Sequence, residues 1–197
     1  MTVLGITGGV GSGKSRVLEI LRADHHALII QADEVAKELE EPGRPGLAGL
    51  VEKFGTGILD EEGRLDRERF ARLIFQDEKA LEAVNGIIHP LTWQTIKERI
   101  AASDSGLAAV EAALLDESSR DTCQYLVFVD TGEETRIRRL MENRGYSREK
   151  CMDIIKNQPE REEFLRLADF VIDNNGSLEE VRRQIEKMLE EITDEIS

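Results

Sequence analysis

The residues with the clearest chemical potential lie near the amino terminus, in a glycine-rich segment that ends in a lysine and a serine. Its sequence is Gly8-Gly9-Val10-Gly11-Ser12-Gly13-Lys14-Ser15, which has the spacing G-x-x-x-x-G-K-[ST]. An apolar run precedes it and a helical run follows. Glycines here let backbone N–H groups turn toward phosphate oxygens, and the N-terminus of the next helix adds its dipole. Because a turn without a ligand would leave Lys14 with no packing role, the segment predicts a nucleotide-binding loop.

Two side chains of this phosphate loop have specific roles in phosphate chemistry. Lys14 is expected to span the β- and γ-phosphates of a nucleotide, and the Ser15 hydroxyl is expected to ligate Mg²⁺. We therefore predict that the chain binds ATP and Mg²⁺ at this loop. The residues assigned to nucleotide binding are Gly8, Gly9, Val10, Gly11, Ser12, Gly13, Lys14, Ser15 and Arg16.

An acidic residue that follows the second apolar run is a candidate proton acceptor. Asp33 comes directly after Leu28-Ile29-Ile30-Gln31-Ala32 and opens a helical run. Aspartate is among the best helix N-caps, so position alone favours a capping role. A carboxylate at the carboxyl end of a strand can also orient and deprotonate an acceptor hydroxyl that faces the γ-phosphate. The two roles are compatible.

Basic residues are concentrated between positions 136 and 150. They are Arg136, Arg138, Arg139, Arg144, Arg148 and Lys150. The whole chain has 26 Lys and Arg against 40 Asp and Glu, a net charge of −14, so this local excess needs an explanation. Guanidinium groups clamp phosphate oxygens, which predicts a lid over transferring phosphates, with Ser147 capping its second helix. For Arg136, Arg138 and Arg148 we expect the simpler role of ion pairs on a solvated helix.

The remaining polar candidates carry weaker signals. Glu111 and Asp130 end the third and fourth apolar runs, where a Mg²⁺-side carboxylate, a helix cap and a loop residue all fit the pattern. His89 precedes Pro90, where the helix that starts at Glu78 is expected to stop, so we expect the imidazole to face that helix C-terminus. Three histidines and two cysteines without ligand spacing argue against a metal cluster.

These residues need a framework that alternates strands and helices. Five short apolar runs alternate with longer helical patterns, which predicts a doubly wound, three-layer α/β/α domain with a five-stranded parallel sheet. The runs are residues 3–6, 28–30, 107–110, 126–129 and 170–172. The last helix is expected to begin near Leu178, where Ser177 and Glu180 have the spacing of a capping box.

Residues 33–103 lack a convincing strand and have the pattern of helices broken by turns. A single crossover needs far fewer residues, so this stretch predicts an inserted helical subdomain near the strand ends, where ligands bind in such sheets. The predicted organisation is one domain with three parts. They are a nucleotide-binding core (1–32, 104–135 and 159–197), a helical substrate-binding subdomain (33–103) and a lid (136–158).

The charge balance excludes some classes of partner. A net charge of −14 repels nucleic-acid phosphates and anionic lipid, so we expect neither nucleic-acid nor membrane binding. The first apolar run is too short for a signal peptide or a membrane span, and the pattern of two isolated cysteines is typical of reduced thiols. We therefore expect a cytoplasmic protein.

The chain resembles the dephospho-coenzyme A kinase family almost from end to end. Each matching piece is short, but their order and spacing together are specific. The pieces are Gly5-Ile6-Thr7 leading into the phosphate loop, Ala32-Asp33-Glu34-Val35-Ala36, Leu65-Asp66-Arg67, Ile74-Phe75, His89-Pro90-Leu91, Arg139, Arg144, Gln158, Ala168-Asp169 and Ile172-Asp173-Asn174-Asn175-Gly176.

This resemblance implies a P-loop, nucleoside-kinase-like enzyme that uses ATP to phosphorylate the ribose 3′-hydroxyl of dephospho-coenzyme A, the last step of coenzyme A synthesis. It implies that Asp33 is the catalytic base and that Arg139 and Arg144 are lid residues near the phosphates. It also implies that Asn174 and Gly176 lie in the segment on the adenine side. Asp33, His89 and Glu111 are assigned to the acceptor.

Three positions depart from the family pattern. Arg16 stands where the family usually has Thr, although Ser15 still supplies the metal hydroxyl. Gln31 stands where an Asp is common, which weakens any role for a second carboxylate there. The stretch at 110–115, Val-Glu-Ala-Ala-Leu-Leu, replaces the usual Asp-x-Pro-Leu-Leu, so Glu111 would act with a side chain one methylene longer.

Three alternatives remain open. The nearest is another small-molecule P-loop kinase, acting on a nucleotide or a sugar acid, which a substrate panel would distinguish. A GTP-binding switch is suggested only by the letters D-x-x-G at residues 60–63, which follow no apolar strand, and the chain has no N-K-x-D motif. A non-catalytic nucleotide-binding module is disfavoured by the presence of Lys14, Ser15 and Asp33 together.

Overall fold

The computed structural model describes residues 1–113 and 115–196, except for the side chains of residues 76, 117 and 196. Leu114, in the altered stretch at 110–115, and Ser197, at the end of the predicted core, lie outside the described residues. The chain forms two compact units, one of Met1–Ile29 with the residues from Asp104 onward and one of Ile30–Ser103. We call them the sheet unit and the helical unit.

All five predicted strands are confirmed, and they form a five-stranded sheet in the order β2-β3-β1-β4-β5. The strands are β1 (Thr2–Thr7), β2 (Leu28–Gln31), β3 (Leu107–Glu111), β4 (Tyr125–Asp130) and β5 (Phe170–Asp173). Strand β1 pairs in parallel with β3 and β4, and β4 pairs in parallel with β5. Parallel pairing brings the carboxyl ends of these strands to one edge, with Ile6 opposite Glu111 and Asp130 opposite Asp173.

Helices connect and cover the strands. They are α1 (Lys14–His25), α2 (Ala32–Leu39), α3 (Pro45–Phe54), α4 (Arg67–Gln76), α5 (Glu78–Ala101), α6 (Glu133–Arg144), α7 (Arg148–Lys156), α8 (Arg161–Leu167) and α9 (Leu178–Ile196), with short 3-10 turns at Thr56–Ile58 and Glu117–Asp121. As predicted, Ser177 and Glu180 cap α9 reciprocally, since the Ser177 N–H donates to Glu180 Oε2 (2.7 Å) and the Glu180 N–H to Ser177 Oγ (3.3 Å).

The main core of the sheet unit lies between one face of the sheet and helices α1 and α9. Alternate strand residues such as Leu4, Val127 and Ile172 pack there against the apolar faces of the two helices, including Leu21 and Ile185. On the other face of β4, Phe128 stacks on Phe164 of α8, with ring centroids 4.9 Å apart. Helices on both faces of a largely parallel sheet make the predicted three-layer arrangement, with the loops at the carboxyl edge left to carry the site.

The helical unit has its own core, formed where α3 and α4 pack against α5. Leu50, Phe70, Val84 and Ile88 are buried in it, and Phe54 meets the Phe70 ring edge-on at 5.9 Å between centroids. The D-x-x-G letters at residues 60–63 form a turn, in which the Gly63 N–H donates to Asp60 O (3.1 Å).

The expected helix end at His89 is wrong, because α5 continues through Pro90 to Ala101. A proline inside a helix removes one N–H donor and crowds the carbonyl four residues earlier, a cost of about 3 kcal/mol. Buried residues on both sides of the proline, Ile88 and Ile96, stabilise the continuous helix through packing. The Thr92 hydroxyl also donates to Ile88 O (2.8 Å) within this turn.

A search of the described helices finds none whose length and apolar character would let it cross a bilayer.

Candidate active site

The glycine-rich segment forms a tight loop between β1 and α1. Gly8, Gly11 and Gly13 have φ values of 152°, 77° and 85°, a backbone region that side chains with a Cβ rarely adopt. The loop is closed by the Ser12 N–H, which donates to Gly9 O (3.1 Å). Helix α1 begins at Lys14, directly after Gly13, so its unpaired N–H groups and the positive end of its dipole lie at the loop.

Lys14 and Glu111 are brought together at this edge of the sheet. The Lys14 ammonium donates to Gly8 O (2.8 Å) and lies 3.5 Å from Glu111 Oε1, and both side chains are only 16% exposed. Glu111 ends β3, the neighbour of β1, which is why the acidic group and the loop lysine meet. The structure thus provides a cation within the loop and a carboxylate beside it, while the roles of both residues stay predictions.

The Ser12 carbonyl oxygen is the point at which other segments hold the phosphate loop. It accepts hydrogen bonds from Asn174 Nδ2 (2.7 Å), Thr131 Oγ1 (2.9 Å) and Arg139 Nη1 (3.0 Å). These donors come from the turn after β5, the turn after β4 and helix α6. Three donors on one peptide fix its orientation and thereby restrain the neighbouring peptide groups of the loop.

Asn174 joins three of the predicted site residues. Its side chain is fully buried, and its Oδ1 accepts from Arg16 Nη1 (3.1 Å), while its backbone O accepts from Arg139 Nη2 (2.8 Å). Burial lowers the pKa of Arg139 from its usual value, with a smaller effect from the charges of Arg16 and Arg138. Partly desolvated guanidinium groups that repel one another are stabilised by a bound anion such as a triphosphate.

The expectation that Arg136 is a solvated helix residue is wrong. Its Nε donates to Val10 O (2.9 Å), and its Nη2 donates to Gln158 Oε1 (2.5 Å). Burial is the main cause that lowers the pKa of this guanidinium. Arg148, in contrast, forms the expected surface ion pair, in which both Nη atoms contact the Glu134 carboxylate.

A cavity of about 680 Å³ adjoins the phosphate loop on the β4 side, with Gly9, Ser12, Arg136 and Gln158 among its lining residues. The Ser12 side chain is 1% exposed. Among the described residues, its Oγ is the buried side-chain polar atom found without a hydrogen-bond partner. Buried hydroxyls are normally hydrogen-bonded, so this one keeps an unused capacity for a hydrogen bond beside the loop.

Two predicted residues lie in the helical unit. Asp33 is exposed in the first turn of α2, but the N-cap is Gln31, so the capping role expected for Asp33 is wrong. Its carboxylate lies at the second helical position, where a negative charge still stabilises the helix dipole. His89 is exposed in the interior of α5 and does not face a helix C-terminus.

The remaining predicted residues lie in the segment 136–158, which was predicted to be a lid, and in the turn before α9. Arg144 is exposed at the last position of α6, next to Gly145, whose φ of 64° ends the helix. Ser147 caps α7 as predicted, accepting from the Lys150 N–H (3.2 Å). Gly176 is exposed directly before the capping box of α9.

Several residues at the site were missed or left undecided by sequence reasoning. Asp130 is engaged with Arg161, whose Nε and Nη2 both donate to Asp130 Oδ2 (2.8 and 2.6 Å). Thr131 was missed because a single threonine after a strand carries no distinctive signal. Arg136 had a usable signal, since residues three apart in a helix share a face and Arg136 therefore accompanies Arg139.

Comparison with known proteins places this arrangement in one family. The family model described as dephospho-CoA kinase matches residues 2–180. The dephospho-CoA kinase of Thermobifida fusca is 39% identical over 194 residues, which is 98% of this chain and 96% of that protein. The dephospho-CoA kinase of Corynebacterium glutamicum is 40% identical over 196 residues, covering 98% of this chain and 100% of that protein.

A solved structure shares the fold of nearly the whole chain. The crystal structure of TT1252 from Thermus thermophilus matches with a TM-score of 0.79 at 31% identity, covering 96% of this chain and 97% of that chain. The likeness covers nearly the whole sequence. It agrees with the phosphate loop and with the pairing of Lys14 and Glu111 at the sheet edge. The chain belongs to the dephospho-CoA kinase family.

Proposed function

We propose that the chain transfers the γ-phosphoryl group of ATP to the ribose 3′-hydroxyl of dephospho-CoA, giving CoA and ADP in the last step of CoA synthesis. The observation that carries the proposal is the pre-organised phosphate loop, in which Lys14 lies beside Glu111 and the Ser12 peptide is fixed by three donors. A loop held in this way positions a triphosphate and stabilises the charge that develops during transfer.

In the proposed reaction the transfer is direct and in line, without a phosphorylated enzyme. The bond between the γ-phosphorus and the β–γ bridging oxygen breaks as the 3′-oxygen bonds to the γ-phosphorus, and the hydroxyl proton passes to Asp33. Lys14 would leave Gly8 O and Glu111 to contact the β- and γ-phosphates. Arg139 and Arg144 would neutralise charge on the transferring group, and closure of the lid would exclude water.

The oxygen atoms available as metal ligands near the loop are of the kind that Mg²⁺ prefers. Mg²⁺ prefers hard oxygen ligands and usually keeps several waters, with one or two protein ligands and substrate phosphates completing its shell. The Ser15 hydroxyl, which is exposed in the first turn of α1, would hold the ion, and Glu111 is a carboxylate at the same sheet edge. When bound, Mg²⁺ offsets negative charge on the phosphate oxygens.

The remaining assignments are part of the same proposal. Residues 33–103 would hold the acceptor, with His89 among the contacts, and Glu111 at the end of β3 would be a further acceptor contact. Residues 136–158 would act as a lid, and Asn174 and Gly176 would lie on the adenine side. The net charge of −14 supports a protein that binds neither nucleic acid nor membranes. The two isolated cysteines support a cytoplasmic location.

A substrate panel tests the acceptor. ADP formation is measured with ATP-Mg and, separately, dephospho-CoA, a nucleoside monophosphate and two sugar acids. Dephospho-CoA should give the largest kcat/KM, and EDTA should abolish turnover until Mg²⁺ is restored. Faster turnover with another acceptor, and none with dephospho-CoA, would show that the substrate assignment is wrong.

The base is tested by replacing one carboxylate at a time in the first turn of α2. Asp33→Asn should leave ATP binding nearly intact while kcat falls by about 10²-fold or more, the contribution expected of a general base. Glu34→Gln is the matched control, since Glu34 is also an exposed acid in the same turn. Equal activity of the two variants would remove Asp33 from the mechanism.

A further inference from the structure

Val10, at the apex of the phosphate loop, is bonded to and packed on residues from the segment predicted to be the lid. Its N–H donates to Gln158 Oε1 (3.0 Å), and its carbonyl accepts from Arg136 Nε (2.9 Å). Its side chain packs on the buried lid residues Ile137, Leu140 and Cys151. Val10 therefore lies in the phosphate loop by sequence and in the core of α6 and α7 by packing.

The two polar partners of Val10 are also bonded to each other. Arg136 Nη2 donates to the same Gln158 Oε1 that accepts from Val10, at 2.5 Å. Arg136 lies in the first turn of α6 and Gln158 two residues after α7, so the three residues tie both ends of the helix pair to the loop. We call this set, Val10, Arg136 and Gln158, the apex clamp.

The apex of the loop needs such restraint. Val10 stands between Gly9 and Gly11, and flexible glycines on both sides leave its peptide groups free to rotate unless other residues hold them. The guanidinium of Arg136 lies so close to Gly9 that an added Cβ there would overlap it. Burial lowers the pKa of Arg136, so placing this charge here has a cost that its two hydrogen bonds offset.

We propose that Arg136 and Gln158 are positioning residues for the phosphoryl donor. Acting through Val10, they hold the apex of the loop in the shape that receives the triphosphate, and they make the loop and the base of the lid a single structural element. This inference rests on the proposed binding of ATP at the loop. It predicts that the clamp contributes to ATP affinity by removing the cost of ordering the loop on binding.

The test measures the dissociation constant of a non-hydrolysable ATP analogue with Mg²⁺ by titration calorimetry, together with Tm and the KM for dephospho-CoA. Gln158→Ala and Arg136→Lys should each raise the dissociation constant of the analogue by about tenfold, the effect of losing one charge-assisted hydrogen bond. Lysine keeps the charge but cannot present two donors with the spacing of Nε and Nη2. The double variant should bind no more weakly than the weaker single variant, because both changes break one connected set of bonds.

The control is Arg148→Ala, which removes the exposed ion pair with Glu134 in the same helix pair and should leave analogue affinity within about twofold of wild type. The inference would be overturned by unchanged analogue affinity in Gln158→Ala or by full affinity in Arg136→Lys. It would also be overturned if the double variant lost as much binding free energy as the two single variants together. If Arg136→Lys does not fold, Gln158→Ala alone decides. A shift in Tm without a change in affinity would also overturn it. Failure of the wild type to bind the analogue would instead contradict the proposed function.

Discussion

Replacing Asn174 by alanine is expected to reveal how strongly the phosphate loop depends on the turn after β5. Asn174 is fully buried, donates from Nδ2 to Ser12 O at 2.7 Å, and accepts at Oδ1 from Arg16 Nη1 at 3.1 Å. The substitution removes both contacts but leaves its backbone bonds with Asp130 and Arg139 in place. The loop should therefore loosen without loss of the fold.

The magnitude follows from these two hydrogen bonds. Each is worth about 1 kcal/mol net, so their loss should lower the free energy of unfolding by about 2 kcal/mol. For a chain of this size, about 1 kcal/mol shifts Tm by roughly 2–4 °C, so a fall of about 4–8 °C is expected. Ser12 O keeps its bonds to Thr131 and Arg139, which prevents a larger loss.

Urea denaturation and thermal melting of Asn174→Ala, with a titration of ATP analogue, provide the assay. Asn157→Ala is the control, because Asn157 also donates to a backbone carbonyl, that of Asp153, but from an exposed position. The free energy of unfolding of the control should fall by less than about 0.5 kcal/mol. If Asn174→Ala is as stable as Asn157→Ala and binds the analogue equally well, the structural reasoning about the loop is wrong.

Three further outcomes are expected. Lys14→Met should lower kcat by about 10²–10³-fold in the coupled ADP assay, since it removes a cation from the developing charge, and near-normal turnover would contradict its role. Pro90→Ala should raise the free energy of unfolding by up to about 3 kcal/mol, because it restores an N–H donor inside α5, and a destabilised variant in urea titration would contradict this account. Burial raises the pKa of the Cys123 thiol from 9.0 to about 11, so the folded state holds a proton that the unfolded state loses, and stability should fall from about pH 9 to about pH 11. The urea midpoint measured across this range should lose that slope in Cys123→Ala, and an identical pH dependence in both proteins would show that the thiol is not its source.

The sequence predicted those features whose signals are local. The glycine spacing before Lys14 permits the tight turn of the phosphate loop. Ser177 and Glu180 form reciprocal hydrogen bonds across one helical turn. Both features could therefore be recognised without knowledge of the fold. The strands were predictable because apolar runs of their length must be buried. Their order in the sheet, which brings Glu111 to Lys14, depends on pairing between distant segments.

The errors arose where tertiary packing outweighs a local preference. Pro90 favours a helix end, but burial of Ile88 and Ile96 on both sides keeps α5 continuous. Arginine is a residue type typical of helix surfaces, and Arg136 belongs to the site because its side chain contacts Val10. Aspartate is a preferred residue at helix N-caps, but α2 begins at Ala32, so Asp33 lies inside the helix.

The destination of the γ-phosphate tests the central proposal most directly. The enzyme is incubated with dephospho-CoA, Mg²⁺ and ATP labelled in its γ-phosphate, and the product is analysed by mass spectrometry and ³¹P NMR. The account predicts one labelled phosphate per acceptor, on the ribose 3′-oxygen, with an equal amount of ADP. Label released as inorganic phosphate, or attached elsewhere on the acceptor, would contradict it.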